Sequence, residues 1–252
     1  MEPRVDILGV RVSVLTIPDA VAAVERWIAG GDRQYVCVTG VHGVMESRRD
    51  PALRAIHNAA GLVTADGMPL VWLSRRRGHP EAERVYGPDL MLALCERAAA
   101  RGYRNYLMGG APGTPERLAE KLRARFPGLV ITGTFSPPFR PATPEEDAAL
   151  VARINAARPD IVWVGLSTPK QERWMAEHRA ALTASALIGV GAAFDFLSGL
   201  KRQAPVWMRR RGLEWLFRLA TEPRRLARRY CVNNTMFLAA LLLEALGLRR
   251  YE

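Results

Sequence analysis

The chain is poor in the residues that build covalent or metal frameworks. It has three cysteines, Cys37, Cys95 and Cys231, an odd number with no CxxC pair. A disulfide scaffold and a structural zinc site are therefore not expected, and a reducing compartment is. Its four histidines (His42, His57, His79, His178) show no ligand spacing, and there is no HExxH and no Asp-x-Asp, so no metal site is expected. The nucleophile elbow Gly-x-Ser-x-Gly is also missing. Long apolar runs are scarce. The best, near Met236–Leu248, is broken by Glu244 and falls short of the ~20 apolar residues of a spanning helix. The opening Met-Glu-Pro-Arg-Val-Asp lacks the charged-then-apolar pattern of a secretory signal, and a soluble or peripheral protein is expected.

What is present is a sizeable apolar fraction, 49% of 252 residues, enough for one large α/β domain or one domain with a small appendage. The net charge of +11 is uneven. Residues 201–252 carry 12 Lys or Arg against four Glu and no Asp, and the first 200 carry 24 basic against 21 acidic residues. A basic tail attracts phosphate in nucleic acid, in anionic lipid headgroups or in a diphosphate substrate.

Short β-branched runs alternate with helical stretches. Tyr35–Thr39, Tyr103–Met108, Leu129–Thr132, Ile161–Leu166 and Ala186–Val190 read as buried strands, and Leu62–Ala65 as a short apolar run. Helix starts are written at Thr16-Ile-Pro-Asp, Asp50-Pro51, Thr114-Pro115-Glu116, Thr143-Pro144-Glu145-Glu146 and Thr168-Pro169. The alternation predicts an α/β fold: a Rossmann-like, mostly parallel sheet with helices on both faces. From Pro205 the chain turns to Arg- and Trp-rich helix. The expected division is a domain over 1–200 and a C-terminal helical basic appendage over 201–252.

Ligands of such sheets sit beyond the carboxyl ends of the strands. Asp66 of Asp66-Gly67 reads there as a general base or as the Asx-turn that Asp-Gly favours. Gly109-Gly110, before a helix start, reads as a phosphate-binding loop or a plain tight turn. Lys170 and Gln171 lie in a first helical turn, where they would hold a diphosphate or sugar hydroxyls; alternatively Gln171 and Glu172 support a capping box. Gly189-Val-Gly191 begins like a nicotinamide fingerprint, but Phe194 stands at the third glycine, which argues for close packing with Asp195 as a hydroxyl ligand. In the tail, Arg218, Arg225 and Arg228 fall at roughly helical spacing if helix flanks Pro223, among Trp207, Trp215, Phe217 and Tyr230. That face reads as phosphate-binding and interfacial, or as a solvated basic face over a Trp core.

Taken in order, these segments resemble the WecG/TagA/CpsF glycosyltransferase family. The pieces are Thr39; Arg49-Asp50-Pro51-Ala-Leu; Asp66-Gly67; Glu83-Arg84-Val85; Gly87-Pro-Asp89-Leu; Gly109-Gly110; Pro169-Lys170-Gln171-Glu172; Gly189-Val-Gly-Ala-Ala-Phe-Asp195-Phe; Gly212-Leu-Glu214-Trp215; Arg218-Leu219; Glu222-Pro223-Arg224; and Arg229-Tyr230. The resemblance implies inverting, metal-independent transfer, without a cofactor, of an N-acetylmannosamine-type sugar, a uronic acid or a related hexose. The donor would be a UDP-sugar and the acceptor a polyprenyl-diphosphate-linked saccharide of a surface polysaccharide or cell-wall polymer. It implies Asp66 as the base, Thr39 as a donor contact, and Arg84, Gln171 and Asp195 as pocket residues. Arg218, Arg225 and Arg228 would receive the leaving diphosphate. Many relatives read Thr-x-Asn where this chain has Thr39-Gly40-Val41-His42, which makes His42 the candidate in place of the amide. Relatives often read Arg-Ala-Pro where it has Gln203-Ala204-Pro205.

The expected location is cytoplasmic, peripheral on the inner face of the bacterial membrane, with an anionic lipid surface as partner. Monomer and homo-oligomer both stay open. The rivals are an NAD(P)-dependent oxidoreductase, against which the incomplete fingerprint argues, and a nucleic-acid-binding module. Met236–Leu248 fits membrane contact better than nucleic acid, so no nucleic-acid partner is expected, and a core or oligomer helix fits it as well.

Overall fold

The structure, a computed structural model, describes residues 2–248, with the side chains of Arg210, Arg225 and Arg229 outside that description. The chain opens with an antiparallel hairpin, β1 (Arg4–Ile7) and β2 (Val10–Ser13). Leu8 and Gly9 both take positive φ at its turn, as a two-residue primed turn requires. Then follow α1 (Ile17–Gly30), β3 (Gln34–Thr39), α2 (Val41–Arg49), α3 (Pro51–Ala59), β4 (Leu62–Ala65), α4 (Met68–Arg76) and α5 (Gly87–Arg101). Next come β5 (Arg104–Gly109), α6 (Thr114–Arg125), β6 (Val130–Phe135), α7 (Pro144–Ala157), β7 (Ile161–Gly165), α8 (Lys170–His178), β8 (Ala186–Gly189) and α9 (Ala193–Leu197). The chain continues through α10 (Val206–Arg210), α11 (Glu214–Thr221) and α12 (Pro223–Ala245).

Six strands form one sheet in the order β4-β3-β8-β7-β5-β6, and every neighbouring pair is parallel. This is the expected Rossmann-like α/β sheet. The strands are apolar along both faces because helices cover both. Ile161, Val162, Trp163 and Val164 of β7 are all fully buried. Each such large side chain contributes about 1.5–3 kcal/mol. The one polar atom of Trp163, Nε1, donates to Asn105 Oδ1 at 2.9 Å.

The helix starts follow their cap chemistry. Thr16 and Thr143 each close a capping box, with Asp19 and Glu146. Asp50 accepts from the Ala52 and Leu53 amides ahead of Pro51. Two starts differ from the sequence reading. Thr114 is the first helical residue behind Gly113, not its cap. Thr168 Oγ1 donates to the Glu172 carboxylate at 2.8 Å, and Pro169 holds the cap position without a side-chain bond.

The C-terminal helices follow the sheet without adding a strand. The helical run breaks at Glu222, whose φ of −133° and ψ of 55° separate α11 from α12. Arg218 and Arg228 thus stand on different helices, and the single arginine face anticipated for them does not form. Helix α12 runs along α2. Its Leu226, Phe237 and Ala240 are buried, and the last two join the core that covers one face of the sheet. Arg49 Nη2 donates to Asn233 Oδ1 at 2.8 Å, and Arg77 pairs with Glu244 at 2.7 Å. Among the described residues, no helix is long and apolar enough to cross a membrane.

Candidate active site

Because all six strands run the same way, their carboxyl ends share one edge. A cleft of about 1170 Å³ opens there, walled by the strand ends, by the segment Pro137–Ala142, and by α11 and α12. Its floor is closely packed backbone. At Gly165 a Cβ would stand 2.7 Å from the Phe194 ring. At Gly189 it would meet Met175 at 2.8 Å and the Gln171 amide at 3.0 Å. Of the fingerprint-like glycines, Gly189 therefore makes room for Met175 and Gln171, a close-packing role, while Gly165 on the neighbouring strand makes room for Phe194.

Asp66 follows directly on β4 and is half-buried in this cleft. Its backbone amide donates to Thr39 O at 2.9 Å, which ties it to β3. Among the described residues its Oδ1 accepts one distant hydrogen bond, 3.3 Å from the Gly87 amide. Burial pushes its pKa above the ordinary carboxylate value. Arg84 opposes that shift, the Glu214 carboxylate adds to it, and the Gly87 amide and Arg218 pull the other way.

Arg84 spreads its guanidinium over three carbonyl or carboxylate oxygens. Nε donates to the Asp66 carbonyl, Nη1 to Arg209 O at 3.3 Å, and Nη2 to Glu214 Oε2 at 2.6 Å. Burial works against its charge, but the Asp66 and Glu214 carboxylates prevail and its pKa is raised. Tyr86 lies beneath, its ring 4.2 Å from the Arg84 guanidinium, and its hydroxyl donates to Glu214 Oε1 at 2.9 Å. Gln203 reaches the Tyr86 hydroxyl at 3.4 Å. Glu214 was quoted in the sequence only as part of a matching segment, yet it is 8% exposed and central here. One signal was available: it is one of four acids in a tail with twelve cations.

The remaining expected residues separate. His42, Lys170, Gln171, Asp195, Arg218 and Gly110 line the cleft with Asp66 and Arg84. His42 Nδ1 accepts from Asn233 Nδ2 at 2.9 Å, so α12 brings an amide beside His42. Gln171 is 2% exposed, and its Oε1 is buried without a hydrogen-bond partner. Asp195 pairs with Lys201 at 3.1 Å. Arg218 stacks over Phe196 at 5.5 Å, and its Nε is buried with no hydrogen-bond partner among the described residues. Gly109 lies just behind the cleft, where a Cβ would strike Gly165 backbone at 2.6 Å; the glycine is there for packing. Arg228 is exposed and away from the cleft lining. The Arg225 side chain lies outside the described residues.

Thr39 is 2% exposed and turned behind the cleft floor. Its Oγ1 lies 2.9 Å from His57 Nε2, while His57 Nδ1 lies 3.1 Å from the Leu53 carbonyl. Ser47 Oγ lies equally close to Nδ1, at 3.1 Å, and a hydroxyl takes either role; a carbonyl only accepts, so a proton on Nδ1 serves both neighbours, and Nε2 then accepts from Thr39. Burial holds the His57 pKa down, which keeps this ring neutral; nearby Glu172 pulls the other way. The structure thus puts Thr39 against a buried histidine, where the resemblance implied donor contact.

Among the described residues, no group of three or more His, Cys, Asp or Glu side chains gathers as a metal site would. The cleft does gather Arg76, Lys170 and Arg218, none of which makes an ion pair among the described residues. An anionic, sugar-sized ligand is what a cleft of this volume, with free cations and a buried acid, would take.

A parallel α/β sheet with one deep cleft at its strand ends defines a Rossmann-like ligand-binding fold. Residues 5–251 match the model of the Glycosyl transferase WecG/TagA/CpsF family. The chain belongs to that family: it is a glycosyltransferase of cell-wall or polysaccharide synthesis, acting between a sugar donor and an acceptor.

Proposed function

We propose that the protein transfers a hexose, of the N-acetylmannosamine, uronic acid or related type, from a UDP-sugar to a polyprenyl-diphosphate-linked saccharide, inverting the anomeric centre without a metal. The observation that carries this reading is the state of Asp66. It faces the cleft, accepts one 3.3 Å hydrogen bond and has its pKa raised by burial. A weakly bonded, desolvated carboxylate takes a proton from an attacking hydroxyl more readily than an ion-paired one. The oxygen then bonds to the anomeric carbon as the bond to the UDP oxygen breaks. The leaving diphosphate departs with both electrons, and its charge needs stabilisation. Arg218 and Lys170 stand in the cleft for that role; Arg228 lies away from its lining, and the Arg225 side chain lies outside the described residues. Gln171, His42 and Asp195 serve the sugar and nucleoside hydroxyls.

The membrane assignment rests on the tail. Eleven of the fifteen exposed large apolar side chains among the described residues lie between Val206 and Leu248. They include Trp207 and Trp215, which stand among the arginines, and Leu238, Leu242 and Leu246, which follow them on α12. Apolar side chains beside cations fit the inner face of an anionic membrane. In this reading 201–252 works as the appendage that brings the cleft to a lipid-borne acceptor.

Asp66→Asn is the test. Calorimetry should find UDP-sugar binding retained, and turnover should fall about 10²–10⁴-fold. Wild-type turnover in that variant would remove Asp66 as the base.

A further inference from the structure

Arg84 and Asp66 are neighbours of opposite charge, yet they do not form a side-chain ion pair. The guanidinium reaches the Asp66 main-chain carbonyl through Nε and stops there. Its two other nitrogens are drawn toward the C-terminal segment, Nη1 by the Arg209 carbonyl at 3.3 Å and Nη2 by Glu214 at 2.6 Å. Glu214 is itself fixed from two directions, because Tyr86 donates to its other oxygen at 2.9 Å. The Arg84 and Glu214 side chains are only 16% and 10% exposed, so water competes little for either group.

We propose that Glu214 is a positioning residue for the acid at the floor of the cleft: by holding Arg84 through Nη2, it keeps that guanidinium from closing an ion pair on the Asp66 carboxylate. An Asp closed on Arg loses basicity, because the cation stabilises its charged form. The base is thereby set by a residue of α11, about 150 positions further along the chain. That Asp66 acts as a base rests on the proposed function; that Glu214 governs its charge does not.

The charged and titratable groups facing Asp66 are Arg84 and Tyr86 ahead of α5, and Glu214 and Arg218 on α11; the Gly87 amide at the start of α5 faces it as well. Only Glu214 is both a like charge to Asp66 and the partner of Arg84. Removing its charge therefore acts twice in one direction. The repulsion that favours the protonated acid is lost, and Nη2 is released to pair with Asp66.

The experiment is a ¹³C NMR titration of the Asp66 carboxyl carbon in the full chain, its signal assigned by Asp66→Asn. The wild-type midpoint lies above the ordinary carboxylate value, and Glu214→Gln lowers it. Glu214→Asp keeps the charge but is one methylene short of Arg84, and it lowers the midpoint by less; it also serves if the amide variant does not fold. A midpoint unmoved in a folded Glu214 variant overturns the proposal and leaves Glu214 as a structural anchor. The titration needs no turnover, so a protein inactive with every UDP-sugar would sink the proposed reaction and leave this result standing. Where transfer is measured, the acid limb of kcat moves to lower pH in Glu214→Gln and the plateau falls about tenfold or more, with donor KM little changed. A fall in kcat with an unmoved acid limb also counts against it.

Discussion

Replacing Arg84 by Met removes the cation from the most enclosed ion pair of the site. Its side chain and that of Glu214 are 16% and 10% exposed, whereas those of Arg26 and Glu2 are 61% and 28% exposed. Removing one partner of a buried pair strands the other charge and costs about 3–5 kcal/mol. Arg84→Met also takes hydrogen bonds from the Asp66 and Arg209 carbonyls. A chain of this size loses roughly 2–4 °C of Tm per kcal/mol, so melting should fall by roughly 6–20 °C. Arg26→Met, on the exposed pair, should cost about 0–1 kcal/mol. Glu214→Gln leaves Arg84 with Asp66 still nearby to take its charge, so it should cost less than Arg84→Met. The double variant should be less damaged than the sum of the two, with a coupling of about 0.5–3 kcal/mol. Thermal melts of the four proteins decide this. An Arg84→Met melt within about 2 °C of wild type, or strict additivity in the cycle, would refute the claim that the pair is enclosed and mutually dependent.

Other outcomes follow from the same geometry. The Asp66 pKa is raised on folding, so its ionisation works against the folded state above that pKa and has no such effect below the ordinary value of ~3.9. Asp66→Asn should therefore be more stable than wild type at pH 7, and the gain should vanish as pH falls below ~4; a constant difference across pH would contradict the shift. Thr39→Val leaves buried His57 Nε2 without its donor and should cost about 1–3 kcal/mol in a melt; a donor-binding defect without that loss would return Thr39 to the donor site. Gly165→Ala forces a Cβ to within 2.7 Å of the Phe194 ring and should cost about 1–3 kcal/mol, while an unchanged melt would mean the ring has room to move. Leu238→Glu with Leu242→Glu should weaken binding to anionic vesicles, which in wild type should itself fall as salt rises; salt-independent binding untouched by both changes would remove α12 as the contact.

Much of the fold is written locally. The runs at β3, β7 and β8 are apolar and carry β-branched residues because both sheet faces are covered, and Thr16, Asp50 and Thr143 announce their helices through caps a few residues away. The β1–β2 hairpin escaped the reading. Its strands are four residues each, and its signal is the alternation of Val5, Ile7, Val10 and Val12 around Leu8-Gly9. Strand β6 extends to Phe135, past the apolar run that marked it, and Gly133 leaves room there for the Tyr106 ring. At the site, Asp66 was legible because an acid after a parallel strand points to the ligand edge. Thr39 has the same place on its strand, but its side chain turns to His57, eighteen residues away, and no local pattern reports that direction. The Glu214–Arg84 bond spans 130 residues and joins segments that only the fold brings together. The tail arginines read as one helical face until Glu222 broke the helix between them.

The most direct measurement is UDP release by the purified protein, with EDTA present, across a panel of UDP-sugars, with and without a short-chain polyprenyl-diphosphate saccharide. The account predicts release with one donor that depends on the acceptor and is lost in Asp66→Asn. No release with any donor, together with no UDP binding by calorimetry, would contradict it.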